Sequence, residues 1–303
     1  MTGKKCLVTG GAGFVGSNLV DALIERGDEV IILDNLSTGK KENLNVRAKF
    51  VEVDLRNLED IKSYFTGIDF VFHLAALARV QPSIVDPVTY NDHNVNSTLN
   101  VLVAARDAKV KKVVYSASSS AYGNQTQMPL REDMTPHPIS PYALQKYIGE
   151  EYCRLFSEVY ELPTVCLRYF NVYGERMATN GAYACAIAIF CQQRIKNEPM
   201  TIVGDGEQRR DNTYVGDVVR ANILASKSDV RDGTPINIGT GKNHSVNEMA
   251  DMIGGPKTNL PPRIEPKETL ADNSRAKELL GWEPEMELEK WMPEYKRELG
   301  ITN

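Results

Sequence analysis

The sequence predicts an α/β protein, a doubly wound parallel (Rossmann) sheet followed by a smaller C-terminal α/β lobe. Three observations predict it. Strand-like and helix-like stretches alternate through the first half. A glycine-rich turn, Thr9-Gly10-Gly11-Ala12-Gly13-Phe14-Val15-Gly16, follows the first strand, and an acid, Asp34, closes the second. Such alternation builds parallel sheets through right-handed crossovers.

Cys6-Leu7-Val8 is an unbroken apolar run, as a strand covered on both faces requires. Residues 14–26 read as a helix, with Val15, Leu19, Leu23 and Ile24 on one side. Gly10 and Gly13 allow a tight turn and a close approach to a pyrophosphate. Gly16 lets the helix pack on the strand, and the helix N-terminus faces the phosphates. The strand at 29–33 ends at Asp34, eighteen residues past Gly16. A carboxylate there accepts from an adenosine ribose hydroxyl and repels a 2′-phosphate, so NAD rather than NADP is expected. A glycine turn without a ligand is the plain alternative; strand, glycines, helix, strand and acid in this order speak against it.

The remaining strand candidates are 49–53, 70–73, 112–116 and 164–170, joined by helices at 58–65, 91–108 and 141–160. Ligands in such sheets bind outside the carboxyl ends of the strands, where Gly10, Asp34, Asp54, Ala75, Ser118 and Asn171 fall. After Phe170 the rhythm breaks. A helix at 181–193 precedes short pieces punctuated by Gly204, Gly206, Gly239 and Gly241. A proline-rich link at 255–266 leads to terminal helices at 273–280 and 288–299. Residues 1–170 read as the dinucleotide-binding domain and 171–303 as a substrate lobe, with 211–228 returning to the sheet.

The chain has 303 residues, 42% apolar and 25% charged, an ordinary composition for a water-soluble protein. A net charge of −5 without basic runs excludes a nucleic-acid surface. No apolar stretch is long enough to span a bilayer, and a strand starting this close to Met1 leaves no room for a signal peptide. Five scattered cysteines without Cys-x-x-Cys spacing read as reduced thiols of a cytoplasmic protein. Four scattered histidines offer no metal site.

Catalysis is suggested by Ser118-Ser119-Ser120-Ala121-Tyr122-Gly123 and by Tyr142-Ala143-Leu144-Gln145-Lys146. Four residues apart on a helix, the phenol and the ammonium share a face. A phenol held beside a positive charge loses its proton below its usual pKa of about 10 and becomes a base for a sugar or alcohol hydroxyl. The serine-rich stretch adds a hydroxyl for the same proton. Alone, the spacing is also that of many surface helices; the glycine motif raises its weight.

With these motifs in place, the chain resembles an extended short-chain dehydrogenase/reductase of the NAD-dependent epimerase/dehydratase family, nearly end to end. The residues that carry the resemblance are Thr9 to Gly16, Asp34-Asn35-Leu36-Ser37-Thr38-Gly39, Asp54-Leu55, His73-Leu74-Ala75-Ala76, Asn94-Val95, Tyr142-x-x-x-Lys146, Leu167-Arg168-Tyr169-Phe170-Asn171 and Arg210-Asp211. The resemblance implies an NAD site formed by Gly10, Gly13, Phe14, Val15, Gly16, Asp34, Asn35, Ser37, Thr38, Gly39, Asp54, Leu55, Leu74, Ala75, Ala76, Asn94, Ser116 and Tyr169, with Tyr142 and Lys146. Its finer likeness, in the run after Arg168 and in Asn180-Gly181-Ala182-Tyr183-Ala184, is to UDP-hexose 4-epimerases acting on N-acetylated sugars.

By this resemblance Tyr142 takes the sugar 4-hydroxyl proton, Lys146 lowers the Tyr142 pKa and holds the nicotinamide ribose, and Ser118 is the catalytic hydroxyl. Val80, Ser118, Ser119, Ser120, Tyr142, Asn171, Ala182, Tyr183, Arg210, Glu265 and Thr269 contact the UDP-sugar, and the enzyme is a homodimer. Arg210-Asp211 also reads plainly as a surface ion pair, and Thr269 as a turn cap before the next helix. Arg263 and Lys267 are the candidates for a second phosphate-binding charge. UDP-glucuronate 4-epimerisation remains an alternative, as does a non-catalytic NAD-binding protein. Dehydration needs an Asp-Glu pair where Ser119 and Ser120 stand.

Overall fold

A computed structural model describes residues 3–179, 184–262 and 265–301. The first half runs β1 (Lys5–Thr9), α1 (Phe14–Glu25), β2 (Glu29–Asp34), β3 (Lys49–Glu52), α2 (Leu58–Ile61), β4 (Phe70–His73), α3 (Val80–Val85), α4 (Pro87–Asn91), α5 (Ser97–Asp107), β5 (Lys112–Ser118), α6 (Pro141–Tyr160) and β6 (Thr164–Tyr169). The second half runs β7 (Val172–Tyr173), α7 (Ala186–Ile195), β8 (Met200–Val203), β9 (Arg209–Asp211), β10 (Thr213–Tyr214), α8 (Val215–Lys227), β11 (Asp232–Ile238), β12 (Asn243–Ser245), α9 (Val246–Ile253), β13 (Lys257–Leu260), α10 (Ser274–Leu280) and α11 (Leu288–Glu298). The helix expected at 91–108 is α4 and α5 joined by a π turn at Asp92–Asn96.

Seven parallel strands form the main sheet in the order β11-β6-β5-β4-β1-β2-β3. The order reverses between β1 and β4, which opens a crevice at their carboxyl ends. One face of the sheet buries Leu19, Leu23, Val218 and Trp282; the other buries Phe65, Val101, Leu102 and Phe156. A third core, around Phe190, Met249 and Trp291, belongs to the smaller lobe. The return to the sheet reaches further than residue 228: β11 pairs with β6 and becomes an edge strand.

Two buried contacts set the crevice. His73 spans Thr9 Oγ1 at 2.7 Å and Thr98 Oγ1 at 2.9 Å, joining β1, β4 and α5 just behind it. Burial pulls the imidazole pKa down to about 3, so the ring is neutral, with one nitrogen donating and the other accepting. The second contact locks α6 to β6. Arg168 meets Glu150 through both carboxylate oxygens, Nη2 at 2.6 Å from Oε2, and the two side chains are only 2% and 4% exposed. The guanidinium also lies 4.6 Å from the Tyr122 ring centre.

Deleting one partner of a buried pair leaves the other charge unsolvated. Glu150→Ala should therefore lower unfolding free energy by about 3–5 kcal/mol, and Arg131→Ala, in the exposed Arg131–Asp133 pair, should cost far less. Urea denaturation of both variants tests this; equal, small losses would show that Glu150 does not hold the pair.

Candidate active site

A single cavity of about 1480 Å³ runs from the glycine turn to Arg210. That exceeds what one small ligand needs and suits a dinucleotide and a second nucleotide end to end. At its first end Gly10 has φ 72°, and a Cβ there would sit 2.7 Å from the Ala75 nitrogen. A Cβ on Gly16 would sit 2.1 Å from the Gly10 carbonyl oxygen. Only hydrogen fits at either position, so the start of α1 presses onto the turn. Gly13 is the N-cap of α1, and its carbonyl accepts from the Ser17 amide.

Asp34 is buried at the end of β2. It accepts from the Ala12 amide at 3.0 Å and the Leu36 amide at 2.8 Å. Burial holds its pKa above the usual carboxylate value, and the two amides pull the other way. Asn35, Ser37, Thr38, Asp54, Leu55, Leu74, Ala75, Ala76, Ser116 and Tyr169 complete this end with Phe14 and Val15. Two expected contacts lie off the wall. Gly39 packs against Ala12 and Asp34, closing the loop behind the carboxylate. Asn94 is 1% exposed and binds both backbone groups of Leu77 and the Gln145 side chain; it braces the wall from behind. Sequence reasoning missed Lys40 and Asn43, which the loop after Asp34 brings to the wall.

The middle of the cavity brings Ser118, Tyr142 and Lys146 onto one wall. Ser140 caps α6, accepting from the Ala143 amide at 3.2 Å, and Pro141 follows at the first helical position; both are good helix starts. α6 thus begins at the carboxyl end of β5, with Tyr142 half-buried and Lys146 one turn on. Ser118 ends β5; its Oγ accepts from the Ser120 amide at 3.2 Å and hydroxyl at 2.8 Å. The Ser118 hydroxyl lies close enough to the Tyr142 phenol to pull its pKa down. Ser119, Ser120 and Val80 line the same stretch.

Lys146 Nζ donates to the Ser116 carbonyl at 2.7 Å and lies 5.0 Å from the Tyr115 ring centre. Burial pulls its pKa down to about 8, with Glu150 opposing. The groups that lower the Tyr142 pKa are the Ser118 hydroxyl and the charge of Arg79, and burial outweighs them, so the phenol stays above its usual value. A sheet carbonyl thus satisfies the Lys146 ammonium.

At the far end, Asn171 Nδ2 donates to the Asp211 carbonyl at 2.8 Å and to Thr269 Oγ1 at 3.2 Å. The Asp211 amide donates to the same hydroxyl at 3.2 Å. Thr269 therefore joins β9 to the cavity wall and is no cap for α10. Arg210 pairs with Glu265 at 2.8 Å, and Gln208 reaches the same carboxylate at 3.4 Å. Asp211 is not Arg210's partner: it is fully buried, receiving Thr240, Gly241 and Ala271 amides. Ala182, Tyr183 and Arg263 lie outside the described residues. Lys267 is exposed and off the wall. Gln208 and Arg79 carried no sequence signal. Among the described residues no cluster of three His, Cys, Asp or Glu could hold a metal ion.

Fold and cavity together define a Rossmann-type dinucleotide-binding enzyme. The chain belongs to the NAD dependent epimerase/dehydratase family, whose model matches residues 6–239. It is 43% identical to a putative UDP-glucose 4-epimerase of Methanocaldococcus jannaschii over 94% of each chain. The crystal structure of a Thermotoga maritima UDP-glucose 4-epimerase with UDP-glucose superposes with a TM-score of 0.92 at 41% identity, covering 97% of this chain and 99% of that one. A UDP-N-acetylglucosamine 4-epimerase of Methanobrevibacter ruminantium, in complex with UDP-N-acetylmuramic acid, also superposes with a TM-score of 0.92, at 38% identity over 99% and 98%.

The residues fit NAD: the glycine turn leaves room that a Cβ would fill, and Asp34 presents a carboxylate where a 2′-phosphate would have to sit. Denaturing the purified protein should release NAD and no NADP. Recovery of NADP would overturn the role given to Asp34.

Proposed function

We propose that this chain, a UDP-sugar 4-epimerase, interconverts UDP-glucose with UDP-galactose and UDP-N-acetylglucosamine with UDP-N-acetylgalactosamine. The observation that carries the reading is the Tyr142–Ser118 pair placed midway in one cavity, between the glycine turn and the Asn171–Thr269–Arg210 end. NAD, when bound, supplies the acceptor and later the donor of the C4 hydride. Tyr142, as phenolate, takes the proton of the sugar 4-hydroxyl while Ser118 shares the hydrogen bond. Oxygen and C4 then form a 4-keto group.

Arg210 and Asn171 hold the nucleotide half through the diphosphate, for which a guanidinium offers paired donors. Glu265, now paired with Arg210, is freed for the uridine ribose. The hexose turns about its phosphate link, so that its other face would meet bound NAD, and Tyr142 gives the proton back. Ser119 and Ser120 supply no acid–base pair, which leaves elimination without its proton carriers. The exposed Leu144, Leu155 and Val159 along α6 support a homodimer, and five free cysteines support the cytoplasm.

Tyr142→Phe should cut turnover by about 10²–10⁴-fold while UDP binding, carried at the other end of the cavity, stays near that of the parent. Assay of a UDP-sugar panel with chromatographic separation of C4 epimers, beside UDP titration calorimetry, tests both halves. Turnover within tenfold of the parent would remove the phenol from the mechanism.

Thr269 is small and lines the cavity beside Asn171; in this reading it borders the hexose and leaves room for a 2-acetamido group. Thr269→Tyr should abolish turnover of the N-acetylated sugars and spare UDP-galactose. Full activity of that variant on UDP-N-acetylglucosamine would sink the assignment.

A further inference from the structure

A second cation faces the middle of the cavity. Arg79 is the N-cap of α3 and shares the wall with Val80, Tyr142 and Cys185. Its backbone sits at φ 92° and ψ 138°, where a residue with a Cβ is strained and glycine is at ease. Such a conformation persists only where the surroundings over-determine it, and it collects at functional sites.

The surroundings here can be named. On one side of Arg79, Asn94 holds Leu77 by both backbone groups, and the Tyr90 hydroxyl donates to the Ala78 carbonyl at 2.8 Å. On the other side, Ser83 Oγ accepts from the Tyr142 amide at 3.1 Å, so α3 is tied to the start of α6. Residues 77–83 are thus clamped to the helix that carries the phenol. The guanidinium lies near enough to the Tyr142 phenol and to the Cys185 thiol for its charge to act on both. Cys185 is the N-cap of α7, in the smaller lobe. Arg79 therefore stands between α6 and that lobe, whereas Lys146 is turned toward the Ser116 carbonyl.

Resting on the reading of Tyr142 as the base, we infer that Arg79 is a positioning residue for the epimerisation: its charge holds the Tyr142 phenolate from the small-lobe side. The titratable and charged groups that share the wall with this phenol are Arg79 from the start of α3, Lys146 along α6 and Cys185 at the start of α7, beside the Ser118 hydroxyl from β5; Tyr115 lies behind. A guanidinium is a fixed positive charge and gives up no proton. The sugar O–H breaks, the phenol O–H forms, and the guanidinium loses its anionic neighbour at the same moment.

The sign follows directly. The phenolate is the active form, so losing Arg79 raises the pH at which Tyr142 ionises and moves the acidic limb of turnover upward. Arg79→Gly removes the charge and relaxes the backbone, so its melting temperature should match or exceed that of the parent.

Tyrosinate absorbance against pH, taken as the difference from Tyr142→Phe, reads the phenol directly; turnover of UDP-glucose and UDP-N-acetylglucosamine against pH reads its use. In Arg79→Gly both should move up by about one pH unit, with kcat at pH 7 falling about tenfold and KM changing little. Arg79→Lys should restore most of the shift. Unchanged titration in Arg79→Gly beside an inactive Tyr142→Phe would remove Arg79 alone. Turnover that survives in Tyr142→Phe would remove the base itself, and the part of Arg79 with it.

Discussion

The placement of α6 is the constraint on which the site depends, and a buried ion pair sets it. Glu150 and Arg168 are almost wholly excluded from water. Desolvation offsets most of the attraction in such a pair, so its main effect is geometric. Glu150 lies one turn beyond Lys146, and Arg168 lies three residues before Asn171. One contact therefore aligns the helix that carries the phenol with the strand end that carries the diphosphate-side amide. Ser140 and Pro141 start that helix at the mouth of the sheet, and the Lys146–Ser116 bond keeps its inner face down.

Around this axis, burial acts on opposite charges in opposite senses. It raises the phenol of Tyr142 and the carboxyl of Asp34, and it lowers the ammonium of Lys146. Each group is moved toward its neutral form, so fixed dipoles and hydrogen bonds govern the balance. The far end is arranged differently. Asp211 is fully buried, yet it receives backbone amides of three residues and organises the loops that present Arg210 and Thr269. Glu265 keeps Arg210 paired in a cavity built for an anion.

Much of this was legible in the residues. The strand, glycine turn, helix and Asp34 are local patterns, each with a backbone or hydrogen-bonding cause that acts within a few residues. The limits of α6, residues 141–160, follow from Ser140, Pro141 and the apolar spacing, and they agree with the structure. Asn94 and Gly39 show the limit of such reading. Their motifs mark them as part of the site's construction, but whether a side chain meets the cavity or braces it from behind depends on what packs beside it.

The sequence by itself determined the doubly wound fold, the glycine turn with Asp34 and the one-turn spacing of Tyr142 and Lys146 on α6, because period, turn chemistry and helix spacing are short-range physics. Tertiary structure decided the rest. β11 joins β6 across some sixty residues of chain, Thr269 meets Asn171 across 98 positions, and α3 is tied to the start of α6 through Ser83 and the Tyr142 amide. Side-chain direction made the last decision, bringing the Lys146 ammonium to the Ser116 carbonyl. Such contacts depend on which elements pack together, and no local pattern encodes that.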